Sequence, residues 1–376
     1  MRSLFIFAGE PSGDLHGEKL VRALLAKKPD LEIWGVGGRR MRAAGVECVL
    51  PMEEFQVMGF IDVFLALPKL MRQFYLLRRQ VLKKNPDTVL LIDYPGFNIR
   101  FAEHLRKKGY KGFLCHFICP SVWAWGKNRI PKMAKNLDTL FTILPFEKTY
   151  FSATSLKVHF VGHPLVKSIL EPHKQDKVQQ IGIFPGSRKK ELERNFPIHL
   201  RVAKKLLAFH PNLQFTVSLS QPRFAPLLKT IMQKEGIEFP LEEQSYGLME
   251  KSDLAIAKSG TVTLELALHK VPTVVTYGIS AIDLFVAKNL LRIRLPYYCL
   301  VNILHSSEVF PELMGPNLTE EALFKKMQQF IEAADLRLAC RKKCEEVRAL
   351  LTEMNAAEEV AEEVVKKGFK LLKSSS

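Results

Sequence analysis

The chain has 376 residues, enough for two domains of ordinary size that each bury a core. Hydrophobic residues at 47% and charged residues at 25% exclude a disordered or low-complexity chain. Lys plus Arg outnumber Asp plus Glu by 55 to 39, and the resulting +16 favours anionic partners: nucleic acid, a phosphorylated substrate or an acidic membrane surface. The six cysteines, at 48, 115, 119, 299, 340 and 344, show no Cys-x-x-Cys spacing and no His-x3-His partner, which argues against zinc and for reduced thiols. The apolar run Leu4–Gly9 is too short for a signal peptide, and no window of about 18 apolar residues could span a bilayer. A cytoplasmic protein is the expectation.

In chain order, the strand LFIFAG leads through a loop, Glu10-Pro-Ser-Gly-Asp14, into a helix from Leu15 to Lys28. EIWGVGG (32–38) and a helix around Arg40–Ala44 follow, then VLLID with a helix from Phe97 to Lys107. FLCHFI (113–118), LDTLFTIL (137–144) and KVHFVG (157–162) complete the first run of strands. The polar stretch 171–180 reads as a linker. The pattern restarts with IGIFPGS (181–187), a helix near Arg194–His210, QFTVSLS (214–220) and a helix Arg223–Glu235. It ends with LAIAKSG (254–260), a helix Thr263–His269 and PTVVTYG (272–278). Strands and helices that alternate in this way predict an α/β fold: two doubly wound, Rossmann-like domains facing a cleft. The expected boundaries are 1–170, 171–345 and a C-terminal helix with a basic tail over 346–376.

Ligands in such sheets bind outside the carboxyl ends of the strands, and the polar outliers of this chain gather there. Four apolar residues in VLLID deliver Asp93 to a strand end, just before a Pro-Gly turn. Glu10–Asp14, Gly35–Gly38, Pro185-Gly-Ser-Arg188 and Ser259-Gly-Thr261 end other strands. Turn chemistry alone explains any one of them; five together favour a site. The glycine-rich turns match neither G-x-G-x-x-G nor the P-loop, and the chain has no Asp-x-Asp, so no metal site and no cofactor is expected. A diphosphate can be held without metal. Ser259, Gly260 and Thr261 open a helix whose free N–H groups and dipole suit phosphate, although a plain N-cap looks the same. Glu265, one turn on, would point toward a ribose. Gly186, Ser187 and Arg188 would bring backbone and a guanidinium to the same diphosphate.

FAGEPSGDLHG, GVGGRRMRAAG, VMGF, LLIDYPGFN, ICPSVWAWGKNRI, LPFEK, FVGHPL, PGSRKKE and KSGTVTLELAL occur in this order. Together they resemble the lipid A disaccharide synthase family, inverting glycosyltransferases of the glycosyltransferase B fold. The likeness runs from the first strand to about residue 315. It implies a UDP-2,3-diacylglucosamine donor, a 2,3-diacylglucosamine 1-phosphate acceptor, and release of UDP as the β-1,6 disaccharide 1-phosphate forms. It puts the family's essential aspartate at Asp93, the expected general base, with Glu10 on the acceptor side and Ser12 and Asp14 shaping the loop there. It puts Asn302 near the donor and the uracil against backbone around Tyr246–Met249. Tyr94 and Gly96 stand where other members carry Ala and Asp. His116 and His163 are alternative bases, but a lone His in an apolar strand or before Pro is more often structural. Trp123 and Trp125 either line the acceptor pocket or pack their loop.

The segment from Phe55 to Lys84 carries apolar stripes, including Ile61, Phe64 and Leu65, among basic residues such as Lys69, Arg72 and Arg78. Broken by Pro68, it suggests an interfacial helix pair that meets anionic headgroups. With the resemblance, this implies a peripheral protein on the cytoplasmic face of the inner membrane, with a homodimer left open. Two other readings compete: a different UDP-sugar enzyme of the same fold, such as a 2-epimerase, and a basic nucleic-acid-binding module. The aromatics lie mostly in apolar strands, which disfavours nucleic acid.

Overall fold

The computed structural model describes residues 2–55, 60–124, 126–169, 177–279 and 296–369, with backbone alone for 60–66. Ile61, Phe64, Leu65 and Trp125 therefore lie outside the described side chains. The chain divides into two compact units, residues 1–164 with 353–376 and residues 165–352.

The first unit holds a seven-stranded sheet in the order β3-β2-β1-β4-β5-β6-β7. Its strands are β1 Ser3–Ala8, β2 Glu32–Gly37, β3 Glu47–Pro51, β4 Thr88–Ile92, β5 Phe113–Phe117, β6 Thr139–Thr142 and β7 Lys157–Phe160. Every pairing is parallel. Successive side chains of a strand point to opposite faces, so β1 feeds two cores. Leu4, Ile6 and Ala8 pack on one side with Leu20 and Leu24 of the helix Pro11–Lys27. Phe5 and Phe7 pack on the other with Phe74 and Leu77 of the helix Phe60–Lys84 and Phe101 of the helix Pro95–Lys107. Each buried side chain of this size contributes about 1.5–3 kcal/mol.

The second unit has a six-stranded sheet in the order β10-β9-β8-β11-β12-β13. These are β8 Gln180–Phe184, β9 Gln214–Ser218, β10 Leu241–Glu242, β11 Leu254–Lys258, β12 Thr273–Tyr277 and β13 Glu312–Met314, again all parallel.

Three local expectations are corrected. Residues expected as a loop, Pro11–Asp14, form the first turn of the helix Pro11–Lys27, because Pro is pre-set for that position and lacks only an N–H that would be unpaired there. The expected helix pair is one helix, Phe60–Lys84, with Pro68 inside it. Phe74, Leu77 and Val81 bury the rest of that helix against the sheet and offset the backbone bond that proline removes. The C-terminal segment, expected as a separate helix and tail over 346–376, divides between the two units. The helix Ala356–Gly368 places Val360, Ala361 and Val364 in the same core as Leu20 and Leu24, while the preceding helix, Ala334–Leu351, belongs to the second unit.

In both sheets the strand order reverses once, between β1 and β4 in the first and between β8 and β11 in the second. The reversal opens a crevice at the carboxyl edge, the preferred ligand position in such sheets. Gly9–Glu10 and Asp93 flank the first crevice; Pro185–Arg188 and Ser259–Thr261 flank the second.

Candidate functional site

At the first crevice β4 ends in two consecutive left-handed residues, Asp93 (φ 46°) and Tyr94 (φ 47°). Asp tolerates this region better than most residues; for Tyr it is strained. The surroundings enforce it. The Asp93 N–H donates to the Phe117 carbonyl at 2.9 Å. The buried Asn98 amide donates to the carbonyls of Ile92 (3.2 Å) and Asp93 (2.6 Å). Tyr94 donates its hydroxyl to the Phe55 carbonyl at 2.9 Å. Its ring also crowds Gly9, where a Cβ would come within 2.9 Å of it, so only glycine lets these two turns approach. Burial raises the Asp93 carboxyl above its ordinary pKa, partly opposed by the Tyr94 N–H. A carboxylate with raised proton affinity on a rigid strand end has the properties of a general base.

Glu10 and Ser12 are exposed at the same edge, and the Glu10 charge helps to raise the Tyr94 hydroxyl, behind the larger effect of burial. Asp14 does something else. It is buried, and its carboxylate accepts from the N–H groups of Gly38 (2.8 Å), Arg40 (3.1 Å) and Met41 (3.1 Å). It therefore caps the short helix Arg39–Ala43 and fixes the turn after β2, a structural part beyond the loop-shaping one expected of it. His116 is fully buried in β5, and burial holds its pKa at about 4, so it is a neutral core imidazole. His163 is held at about 4 by burial and then by the neighbouring His16. Trp123 packs edge-on against Phe146 at 5.6 Å. Arg72 is exposed.

Beside Asp93 lies a cavity of about 470 Å³. One wall is the helix Phe60–Lys84, through Leu67, Leu70, Met71 and Phe74; another is the first turn after Asp93, Tyr94–Phe97. Glu10, Arg100 and His104 are among its lining, with the hydroxyl-bearing Tyr75 and Tyr94.

At the second crevice the turn after β8 is built around Glu191. Its carboxylate accepts from the Ser187 N–H (3.1 Å) and from Lys258 Nζ (3.0 Å), and Arg188 Nη1 lies 3.5 Å away. Burial would raise this carboxyl, but Lys258, the Ser187 N–H and Arg188 together bring it below the usual range. Gly186 has φ 125°, which favours glycine, and a Cβ there would meet Glu191 Cβ at 2.9 Å. The Arg188 side chain is 82% exposed and so is presented to solvent at the strand edge. Ser259, Gly260 and Thr261 lead into the helix Thr261–Leu268, with Gly260 and Thr261 exposed at its start. The sheet thus brings an Arg, a Lys, a glycine-rich turn and a helix N-terminus to one edge, the equipment for an anionic diphosphate.

One turn on, Glu265 accepts from the Tyr246 hydroxyl at 3.3 Å. Burial raises the Glu265 carboxyl and pushes Tyr246 up to about 12. Met249 is fully buried, so only its backbone fits the expected role. Asn302 departs from expectation. Fully buried, its amide donates to the Phe310 carbonyl (2.7 Å) and Glu312 (2.8 Å) and accepts from the N–H groups of Val309 (2.8 Å) and Phe310 (2.9 Å). That set uses the whole amide, so Asn302 clamps the approach to β13 and has no capacity left for a ligand.

The family model described as lipid-A-disaccharide synthetase matches residues 4–366. A lipid-A-disaccharide synthase of Geobacter sulfurreducens is 34% identical over 344 residues, covering 88% of each chain. The chain belongs to the lipid-A-disaccharide synthetase family. Another member, from Chlamydia caviae, is 40% identical over 325 residues, 83% of this chain. The chain spans only part of the length of the chlamydial relatives it matches, 52% for that one and 62% for one from Chlamydia pneumoniae. Among solved structures, a UDP-GlcNAc 2-epimerase from Neisseria meningitidis bound to UDP-GlcNAc aligns with a TM-score of 0.60 at 13% identity, covering 97% of this chain and 100% of that one. A glycotransferase of kitacinnamycin aligns with a TM-score of 0.59 at 12% identity, covering 97% and 98%. At such identity the likeness shows the fold alone: two parallel-sheet α/β domains of the glycosyltransferase B type.

For this family member, sequence reasoning missed three residues at the crevices. His16, on the first helix, is held at a pKa of about 4 by burial and then by Lys19, with its ring 6.3 Å from Phe117. Lys258 and Glu191 were given no role. The signal for Lys258 was a cation at the end of an otherwise apolar strand, LAIAK, which is the same signal that singled out Asp93.

Proposed function

We propose that the chain transfers the diacylglucosaminyl group of UDP-2,3-diacylglucosamine to the 6-hydroxyl of 2,3-diacylglucosamine 1-phosphate. The products are the β-1,6 disaccharide 1-phosphate, UDP and a proton. Asp93 carries the reading: its raised proton affinity suits a group that takes the hydroxyl proton as the oxygen attacks the anomeric carbon. Glu10 stands beside it on the acceptor side. In the second unit, Gly186–Arg188 and Ser259–Thr261 bind the diphosphate and Glu265 the ribose. The uracil lies on backbone around Tyr246–Met249. As the glycosidic bond to UDP breaks, negative charge grows on the departing diphosphate. Arg188 and the helix N-terminus stabilise it there without a divalent metal.

Product analysis tests this reading. Mass spectrometry is expected to find the tetra-acylated disaccharide 1-phosphate. A 2-epimerised sugar nucleotide as the product would favour the competing epimerase reading instead.

The acylated substrates imply work at a lipid surface. No described helix is long and apolar enough to cross a membrane. Leu76, outside the cavity lining, nevertheless exposes 43% of its surface on one helix that also carries exposed Arg72 and Arg79. We place this helix in the interface of an anionic membrane on the cytoplasmic side. Changing Ile61, Phe64 and Leu65 together to Ser is then expected to release the protein from anionic vesicles and leave UDP affinity intact. Vesicle binding that persists in this triple variant contradicts the placement.

A further inference from the structure

We infer that the cavity beside Asp93 is the seat of one acyl chain of the acceptor and sets the chain length the enzyme accepts. The inference rests on the acylated-acceptor reading above. Leu67, Leu70, Met71 and Phe74 fall at helical positions i, i+3, i+4 and i+7, which is one face of the helix Phe60–Lys84, and all four line the cavity. Leu67 is 47% and Met71 42% exposed, so part of this face meets water and gains from an apolar occupant. The second wall starts directly after Asp93. Tyr94, Pro95, Gly96 and Phe97 form it, and Phe97 is fixed by stacking on Phe7 at 4.6 Å and by an edge contact with Phe74 at 5.2 Å.

A volume of about 470 Å³ lies within the roughly 300–1,000 Å³ of small-molecule sites. An apolar interior with Glu10 and Tyr94 in its lining, next to the Asp93 turn, suits an amphiphile whose sugar lies at Asp93 and whose tail runs along the helix. This contiguity favours the acceptor over the donor, because Asp93 acts on the acceptor hydroxyl.

Gly96 supplies the test. It is absent from the positive-φ residues, and a Cβ added there meets nothing within 4 Å, so a larger side chain can enter the cavity without backbone strain. In the full chain, Gly96→Phe is expected to lower kcat/KM for a long-chain acceptor, relative to a short-chain one, by about tenfold or more. That is the cost of keeping about two methylenes out of the cavity. It is also expected to abolish binding of myristate, used as a probe without sugar.

A chain-length ratio that stays unchanged in a folded Gly96→Phe protein overturns the acceptor assignment, including the case where myristate binding is lost and a bilayer lipid is the occupant. Myristate binding that survives the substitution overturns the cavity as an acyl site. Failure of the underlying reading looks different: the unaltered protein then turns over no acylated sugar, whatever myristate does.

Discussion

Asp93→Asn is expected to lower turnover by roughly 10²–10⁴-fold, the usual effect of removing one acid–base group, while leaving UDP affinity unchanged. Asn keeps the shape and tolerates the left-handed conformation at φ 46°, so the turn held by Asn98 and the Phe117 carbonyl persists. The same change should stabilise the fold near neutral pH. The Asp93 pKa is raised in the folded state, so folding favours the protonated carboxyl. Stability from this group is present below the unfolded pKa and is lost as pH rises through the folded value, leaving a penalty at neutral pH that Asn does not carry. Thermal melts at pH 7 should therefore show a higher Tm alongside the lost activity. For the unaltered protein, the acid limb of kcat/KM should lie above the ordinary carboxylate range. An Asp93→Asn protein that unfolds would mark the residue as structural; near-normal turnover would remove it from the mechanism.

Arg188→Ala should behave differently, weakening UDP binding by about 10–100-fold and lowering turnover as well. A charge-assisted hydrogen bond is worth about 1.5–3 kcal/mol, and in the proposed role this guanidinium would hold the diphosphate both before and during departure. The fold should be untouched. Arg188 is 82% exposed, and its ion pair with Glu191 at 3.5 Å is of the surface kind that contributes about 1 kcal/mol at most. Calorimetric titration with UDP separates the two variants: Asp93→Asn keeps the affinity and Arg188→Ala loses it.

The alternation of apolar strands and amphipathic helices was enough to read the doubly wound α/β fold, because each strand needs a nearly continuous apolar run to lie between two helical layers. β3, β10 and β13 were not read: ECVLP is half-exposed, and the other two are only two and three residues long. Residue positions were legible where a polar side chain interrupts an apolar strand end, as at Asp93, which the structure puts at the carboxyl end of β4. Roles were not legible where a polar group serves a distant backbone. Asp14 looks like a site carboxylate until the turn 24 residues later claims it. Asn302 looks like a ligand contact until the segment Val309–Glu312 takes up its whole amide. The C-terminal helix is likewise ambiguous in sequence. Its small apolar residues mark a buried face and do not reveal which unit covers it.

The reading turns on which sugars the protein joins, and UDP release from the purified full chain, measured with each substrate alone and with both, tests it most directly. The account predicts UDP only when UDP-2,3-diacylglucosamine and 2,3-diacylglucosamine 1-phosphate are present together, in equal amount to the disaccharide formed. UDP released at the same rate without the acceptor, or with a non-acylated acceptor in its place, would contradict it.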